Sequence, residues 1–386
     1  MTGSFSRRQA LQAMMAASAA GAAFTSIEVS AQSAPDERRR ATVNFVSDGL
    51  MLSPADYVER LSLLLRERGI AADDYSRGGV VEALELAFAR LLGKEAAIFM
   101  PTGTLANHLA LRALCDRGAR VLVQEQSHLY NDSGDCAQTL SQLTLIPLAH
   151  EAVSFTLEDV QRELDRSESQ RVHTRIGAIS IESPVRRRSG AMFPLEEMRR
   201  ISEFARKEGI RLHLDGARLL IASAYTRVPP AEYAALFDTV YVSLYKGLNG
   251  ASGAILAGPK DVLDEMYHVR RMFGAGLPAA WPFAAIPLAE LPEFQSRLQE
   301  AIAVSEAFLQ ILEADGRVSV ERVVDGTNVV QLGNIESDSL HERLRNAGIL
   351  IRRVDRQRRK LTVTVNESWR ERPAEELARH FLEALA

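Results

Sequence analysis

Apolar positions along this chain switch repeatedly between helical spacing and short unbroken runs. Residues 81–92 repeat at helical spacing and stop at Gly93, and residues 96–100 form an apolar run closed by Pro101. Helical spacing returns over 104–115 and ends near Gly118, before strand-like stretches at 121–124 and 142–146. An amphipathic segment at 157–164 leads to a wholly apolar run at 176–181, and a second one at 195–207 ends before Gly209. Further strands are predicted at 210–214 and 239–244. Short apolar strands alternating with helices predict an α/β fold, a mostly parallel sheet covered by helices on both faces. Past Pro282 and Pro287 the pattern changes. It predicts a helix from about 292, strands at 318–323 and 329–332, a helix, strands near Ile349 and at 361–365, and a terminal helix. The division expected is a large domain over 43–290 and a smaller α+β domain over 291–386.

The first residues follow another rule. Ser6-Arg7-Arg8-Gln9 precedes an uncharged, alanine-rich run over 11–27, and Val29-Ser30-Ala31 places small residues where a signal is cut. Residues 1–31 therefore read as an export signal of the twin-arginine type, with 32–42 as a linker. That route carries folded proteins, so a cofactor loaded in the cytoplasm travels in place to the periplasm or beyond. A cytoplasmic extension is the alternative. The run is too weakly hydrophobic to be read as a stable membrane span.

A formal net charge of −4 argues against nucleic acid as a partner. Two cysteines, Cys115 and Cys136, imply neither a disulfide framework nor metal-ligand spacing.

The informative polar residues stand at predicted strand ends. Asp215 closes the strand at 210–214, and Lys246 follows the strand at 239–244. A lysine amine that condenses with an aldehyde, plus a carboxylate that keeps a pyridine nitrogen protonated, is what pyridoxal 5′-phosphate (PLP) chemistry requires. Upstream, Thr102-Gly103-Thr104 links a strand to a helix. Its amides and hydroxyls suit a phosphate, although a plain N-cap uses the same residues. His128, past the strand at 121–124, is placed to stack on the cofactor ring or act as a base. Arg218 is placed for a substrate carboxylate, or a surface ion pair, and Ser243 for the phosphate, or as an ordinary strand serine.

Together these residues resemble the threonine aldolase/β-eliminating lyase family over roughly 47–276. The matching stretches are Ser47-Asp48, Asp73-Asp74-Tyr75, the block from Leu92 to Asn107, Ser127-His128, the block from Leu212 to Arg218, and Tyr245-Lys246-Gly247-Leu248. The resemblance implies fold type I, with a mostly parallel seven-stranded sheet and PLP as cofactor. It implies Lys246 as the Schiff-base lysine, Asp215 on the ring nitrogen, Gly103 and Thr104 on the phosphate, and His128 on the ring. Ser47 and Arg218 are implied for the carboxylate of an amino-acid substrate. A homodimer or homotetramer is implied too, with Tyr75 near a subunit boundary.

The departures lie on the substrate side. Glu182-Ser-Pro-Val-Arg186 replaces Glu-Asn-Thr-His-Asn, and Gly274-Ala-Gly-Leu-Pro278 replaces Gly-Gly-Gly-Met-Arg. Val46 and Lys360 stand where the family has arginine. Arg186 either replaces a lost carboxylate contact or belongs to a solvated basic turn, and the run 352–360 reads as a solvated hairpin. The expected activity is Cα–Cβ cleavage of a β-hydroxy amino acid, giving glycine and an aldehyde. The alternatives are another PLP reaction (β-elimination, racemisation or transamination) or a non-catalytic amino-acid-binding relative.

Overall fold

Seven short strands, three of them buried along their whole length, make the central sheet of the computed structural model, which describes residues 42–336 and 339–386. The export-signal and linker expectations for 1–41 lie outside the described residues. In chain order the strands are β1 (Val43–Asn44), β2 (Ala96–Met100), β3 (Arg120–Gln124), β4 (Thr144–Leu148), β5 (Ile176–Glu182) and β6 (Arg211–Asp215). They continue with β7 (Thr239–Ser243), β8 (Ala254–Gly258), β9 (Ser319–Arg322), β10 (Val329–Gly333), β11 (Ile349–Leu350) and β12 (Leu361–Thr364).

The central sheet runs β2-β8-β7-β6-β5-β3-β4. Its pairings are parallel from β4 through β7, and β8 is antiparallel to both β2 and β7. Every residue of β5, β7 and β8 is buried, as expected of a sheet covered on both faces. The seven-stranded, mostly parallel α/β sheet is as expected. Strand β8 was not foreseen. Strand β4 starts at Thr144 rather than Gln142, because Gln142 takes a left-handed conformation (φ 59°) closing the helix Cys136–Ser141.

Direction places the chemistry. Strands β3, β5, β6 and β7 end at one sheet edge, and β2, antiparallel to β8, ends there too. The chain leaves β3 outward to β4 and β5 inward to β6, so the crevice between β3 and β5 is a topological switch point where such sheets take ligands.

The C-terminal part holds an antiparallel sheet of order β12-β10-β9. The strand near Ile349 joins neither sheet; it pairs in parallel with β1. Just past β1, Phe45 stacks on Trp369 at 4.0 Å, and Phe308 of the helix Phe294–Asp315 meets both rings edge-on. One hydrophobic core runs through both sheets' packing faces. The 44–49 loop is thereby pinned between the central sheet and the C-terminal part, with Asn366 Nδ2 donating to the carbonyls of Asn44 and Ser47.

Candidate active site

Lys246 sits in the turn after β7, and close packing beneath it fixes the turn. A Cβ on Gly247 would lie 2.6 Å from the Phe294 ring, and one on Gly250 would lie 2.9 Å from Pro287. The Lys246 amine has no hydrogen-bond or ion-pair partner among the described residues, and it lies 5.2 Å from the centroid of the Tyr245 ring. Burial and then the Arg218 charge lower its pKa to about 8, against the pull of Asp215, Asp48 and Glu182.

Asp215 is held by a buried relay. Asn107 Nδ2 donates to Asp215 Oδ2 at 2.6 Å, and the Ala217 amide donates to Oδ1 at 3.2 Å. Asn107 Oδ1 lies 2.9 Å from His213 Nε2, whose Nδ1 lies 2.9 Å from Thr239 Oγ1. Burial holds the His213 pKa down to about 4, so the ring is neutral and must donate from Nε2 if Asn107 presents its oxygen. Both Asp215 oxygens are thus held by the fold, which fixes the carboxylate at the wall of the cavity it lines.

The helix Gly103–Leu114 opens at the same edge. Thr102 is its N-cap, accepting from the Leu105 amide at 3.2 Å, and the Gly103 and Thr104 amides have no partner among the described residues. The cap and the cradle therefore coexist. Gly103 is required by contact, since a Cβ there would lie 1.9 Å from the Tyr241 hydroxyl.

Glu182 ties the loops after β3 and β5 together. Its Oε2 accepts from the His128 amide at 2.5 Å and its Oε1 from the Arg186 amide at 2.9 Å. Register places Glu182 beside Asp215, and burial plus that neighbouring charge raise its pKa. The His128 ring, 3.2 Å from Ser133 Oγ, is half-buried, and burial lowers its pKa so that it is neutral at neutral pH.

These groups surround one cavity of about 320 Å³, lined by Gly103, Thr104, His128, Asp215, Arg218 and Lys246 together with Glu182 and Arg186. A second cavity of about 310 Å³ lies beyond Arg186 and Arg218, which line both. Ser47 lines only the second. Its hydroxyl donates to the Gly49 carbonyl and accepts from Asn44, both at 2.8 Å. Ser243 lines neither; its buried oxygen sits beside the Tyr241 hydroxyl without a well-formed hydrogen bond. Arg218 pairs with Asp48 through Nε at 3.0 Å and Nη2 at 2.9 Å. Burial works to raise the Asp48 pKa, but Arg218 and the Asn328 hydrogen bond hold it below the usual range.

The residues present fit a phosphorylated pyridine aldehyde. The cavity offers an unpaired amine for the aldehyde, a positioned carboxylate for the ring nitrogen, and uncommitted amides at a helix start for the phosphate. Asn107, His213 and Asp48 escaped the sequence reading as site residues, although all three lay inside the stretches it matched. The signal was there for His213, which shares a strand face with Asp215 opposite the apolar Leu212 and Leu214.

Comparison with known proteins agrees with this geometry. The sequence model of the family described as Beta-eliminating lyase matches residues 69–363. A Schizosaccharomyces pombe protein described as a probable low-specificity L-threonine aldolase is 29% identical over 312 residues, 80% of each chain. The low specificity L-threonine aldolase of Escherichia coli K12 is 31% identical over 251 residues, 64% of this chain and 74% of that one. A solved structure from Exiguobacterium sp. 255-15, a candidate aromatic amino acid beta-eliminating lyase/threonine aldolase, superposes with a TM-score of 0.73 at 25% identity, over 90% of this chain and 97% of its own.

Proposed function

The chain belongs to the beta-eliminating lyase family, and we propose that it is a PLP-dependent aldehyde-lyase cleaving the Cα–Cβ bond of a β-hydroxy amino acid into glycine and an aldehyde. The observation that carries this reading is the unpaired Lys246 amine facing one cavity with Asp215, His128 and the free amides of Gly103 and Thr104. Bound there, PLP supplies an aldehyde that takes up the amino group and a ring that accepts electrons from Cα.

The chain's own residues do the rest. Lys246, with its unpaired amine at the cavity, is the residue that would hold the cofactor's aldehyde. Asp215, fixed by Asn107, keeps the ring nitrogen protonated. Arg218, already oriented by Asp48, would bind the substrate α-carboxylate and so select which Cα bond is cleaved. Neutral His128 accepts the β-hydroxyl proton as the Cα–Cβ bond breaks, and Cα is reprotonated to give glycine. The test is to load the protein with PLP, reduce it with borohydride, map the adduct, and measure glycine from a panel of β-hydroxy amino acids. An adduct at Lys246 and glycine from at least one member are expected. No adduct at Lys246, or no glycine from any, sinks the reading.

The same proposal includes export by a twin-arginine-type signal and assembly into a homodimer or homotetramer. Arg7-Arg8 and the uncharged run behind them support export. Cell fractionation of the wild type beside an Arg7→Lys/Arg8→Lys variant tests it. Equal distribution of the two chains would overturn it.

A further inference from the structure

The second cavity carries more positive charge than the carboxylate of an α-amino acid uses. Arg186, Arg218 and Arg352 line it, with Asp48 as the acidic group on its wall. Asp48 is spent, since Arg218 holds Oδ2 and the Asn328 amide donates to Oδ1 at 2.9 Å. Arg352 donates to the Val46 carbonyl at 2.5 Å and has no carboxylate partner among the described residues. Arg186 reaches Asp132 only at 3.4 Å, and that carboxylate already takes two hydrogen bonds from Arg187, at 3.1 and 2.7 Å. Two guanidinium groups therefore stand with little or no counter-charge around about 310 Å³ of space. Gln331 completes the set. Its oxygen accepts from Thr362 at 3.0 Å, and its amide NH2 has no partner among the described residues.

We propose that this cavity receives an anionic substituent on the substrate's β-carbon, so that the preferred substrate is a β-hydroxy amino acid whose side chain ends in a second carboxylate. The inference rests on the lyase reading above. Arg186 and Arg218 wall both cavities, so a substrate held beside Lys246 has this space next to it. Two planar guanidinium forks and an amide NH2 match a planar carboxylate in shape and charge. A small apolar side chain would leave those exposed donors to water and gain no ion pair, so the acidic side chain is the one the cavity favours. The step balances without another reactant: the Cα–Cβ bond breaks, the β-hydroxyl loses its proton, Cα gains one, and the products are glycine and an aldehyde bearing the carboxylate.

The experiment measures glycine release by the PLP-loaded enzyme from β-hydroxyaspartate, β-hydroxyglutamate and threonine. It compares the wild type with Arg352→Gln, which keeps a donor for the Val46 carbonyl, and Gln331→Leu. The wild type is expected to favour one of the acidic substrates over threonine by tenfold or more in kcat/KM. That preference shrinks about fivefold in Arg352→Gln, and it weakens as salt is raised, because the charges are partly exposed. A wild type that favours threonine, or an Arg352→Gln variant whose preference is unaltered, overturns the proposal while leaving the lyase reading standing. If no substrate releases glycine, the lyase reading fails on its own. Equilibrium dialysis with labelled succinate then decides the cavity: binding weakened in Arg352→Gln upholds an anion receptor, and binding equal in the two proteins, or absent, overturns it.

Discussion

Lys246 shows how far one residue's chemistry follows from its surroundings. Burial of its amine first and the Arg218 charge second bring its pKa to about 8. Only the free amine attacks an aldehyde, so the rate at which apoprotein captures PLP is expected to rise with pH through about 8 and then level off. Stopped-flow absorbance between pH 6 and 10 measures it, and a rate still climbing steeply at pH 10 contradicts the assignment. His128 has the opposite consequence in acid. Burial holds its pKa below the ordinary histidine value of about 6.5, so the neutral base persists at neutral pH and is lost only as pH falls through that lowered value. The acidic limb of kcat/KM is therefore expected below pH ~6.5 in the wild type. The Lys246–Asp215 pairing was legible in the sequence because both stand at strand ends. The relay behind Asp215 was not, because it joins Asn107 to His213 across 106 positions, and no spacing rule spans that distance. Asn107→Ala strips a buried carboxylate of its side-chain donor and His213 Nε2 of its partner. The expected cost is about 1–3 kcal/mol of stability, read by denaturant unfolding, together with weaker PLP binding.

At the level of elements, hydrophobic spacing served best where a helix and its stop signal coincide. Residues 195–207 were expected as a helix and form one, with a buried stripe of Met198, Ile201, Ser202 and Ala205. Strand β8 escaped because Ala254-Ile-Leu-Ala-Gly258 is short and buried throughout, with neither alternation nor β-branched enrichment to separate it from any apolar run. Pro282 and Pro287 read as a break, yet Trp281–Glu290 is a helix. Pro282 falls in its first turn, where a missing N–H costs nothing, and only Pro287 interrupts the ladder. The joint between elements that most constrains the chemistry is the helix start against β7. Gly103→Ala would drive a methyl group into the Tyr241 hydroxyl, with the ring carbon behind it at 2.4 Å, so Tyr241→Phe cannot relieve the clash. The variant is expected to lose about 1–3 kcal/mol of stability or shift the helix start. Either way PLP affinity falls, and titration of the apoprotein with PLP measures it. Affinity equal to the wild type's would mean that the Gly103 amide plays no part in holding the phosphate.

Across the whole molecule, the cavities exist only because distant segments converge. The second draws Ser47 from the loop after β1, Arg186 and Arg218 from the central sheet edge, and Gln331 and Arg352 from the C-terminal part. The sequence reading took Arg352 as part of a solvated basic hairpin. The turn is there, closed by paired backbone bonds between Asp355 and Lys360, but Arg352 lies before it and reaches the Val46 carbonyl. Such a cavity is invisible to any local pattern. The same loop after β1 leads into the helix Pro54–Arg68, which has no buried residue although Val58, Leu61 and Leu65 share one face. Val58 is 65% exposed and Leu65 58%, with Met51 at 57% just upstream. An apolar stripe in water on a capped helix suits a docking face, and a second copy of the chain is the occupant the proposed oligomer requires. Charges placed on that stripe strike the interface without touching the core. Val58→Glu/Leu65→Glu is therefore expected to run at the mass of one chain in light scattering while keeping the wild-type unfolding midpoint at high dilution. The wild type is expected at twice or four times that mass. A wild type that already runs as a single chain would sink the homo-oligomer, and a variant that keeps the larger mass would move the interface away from this helix.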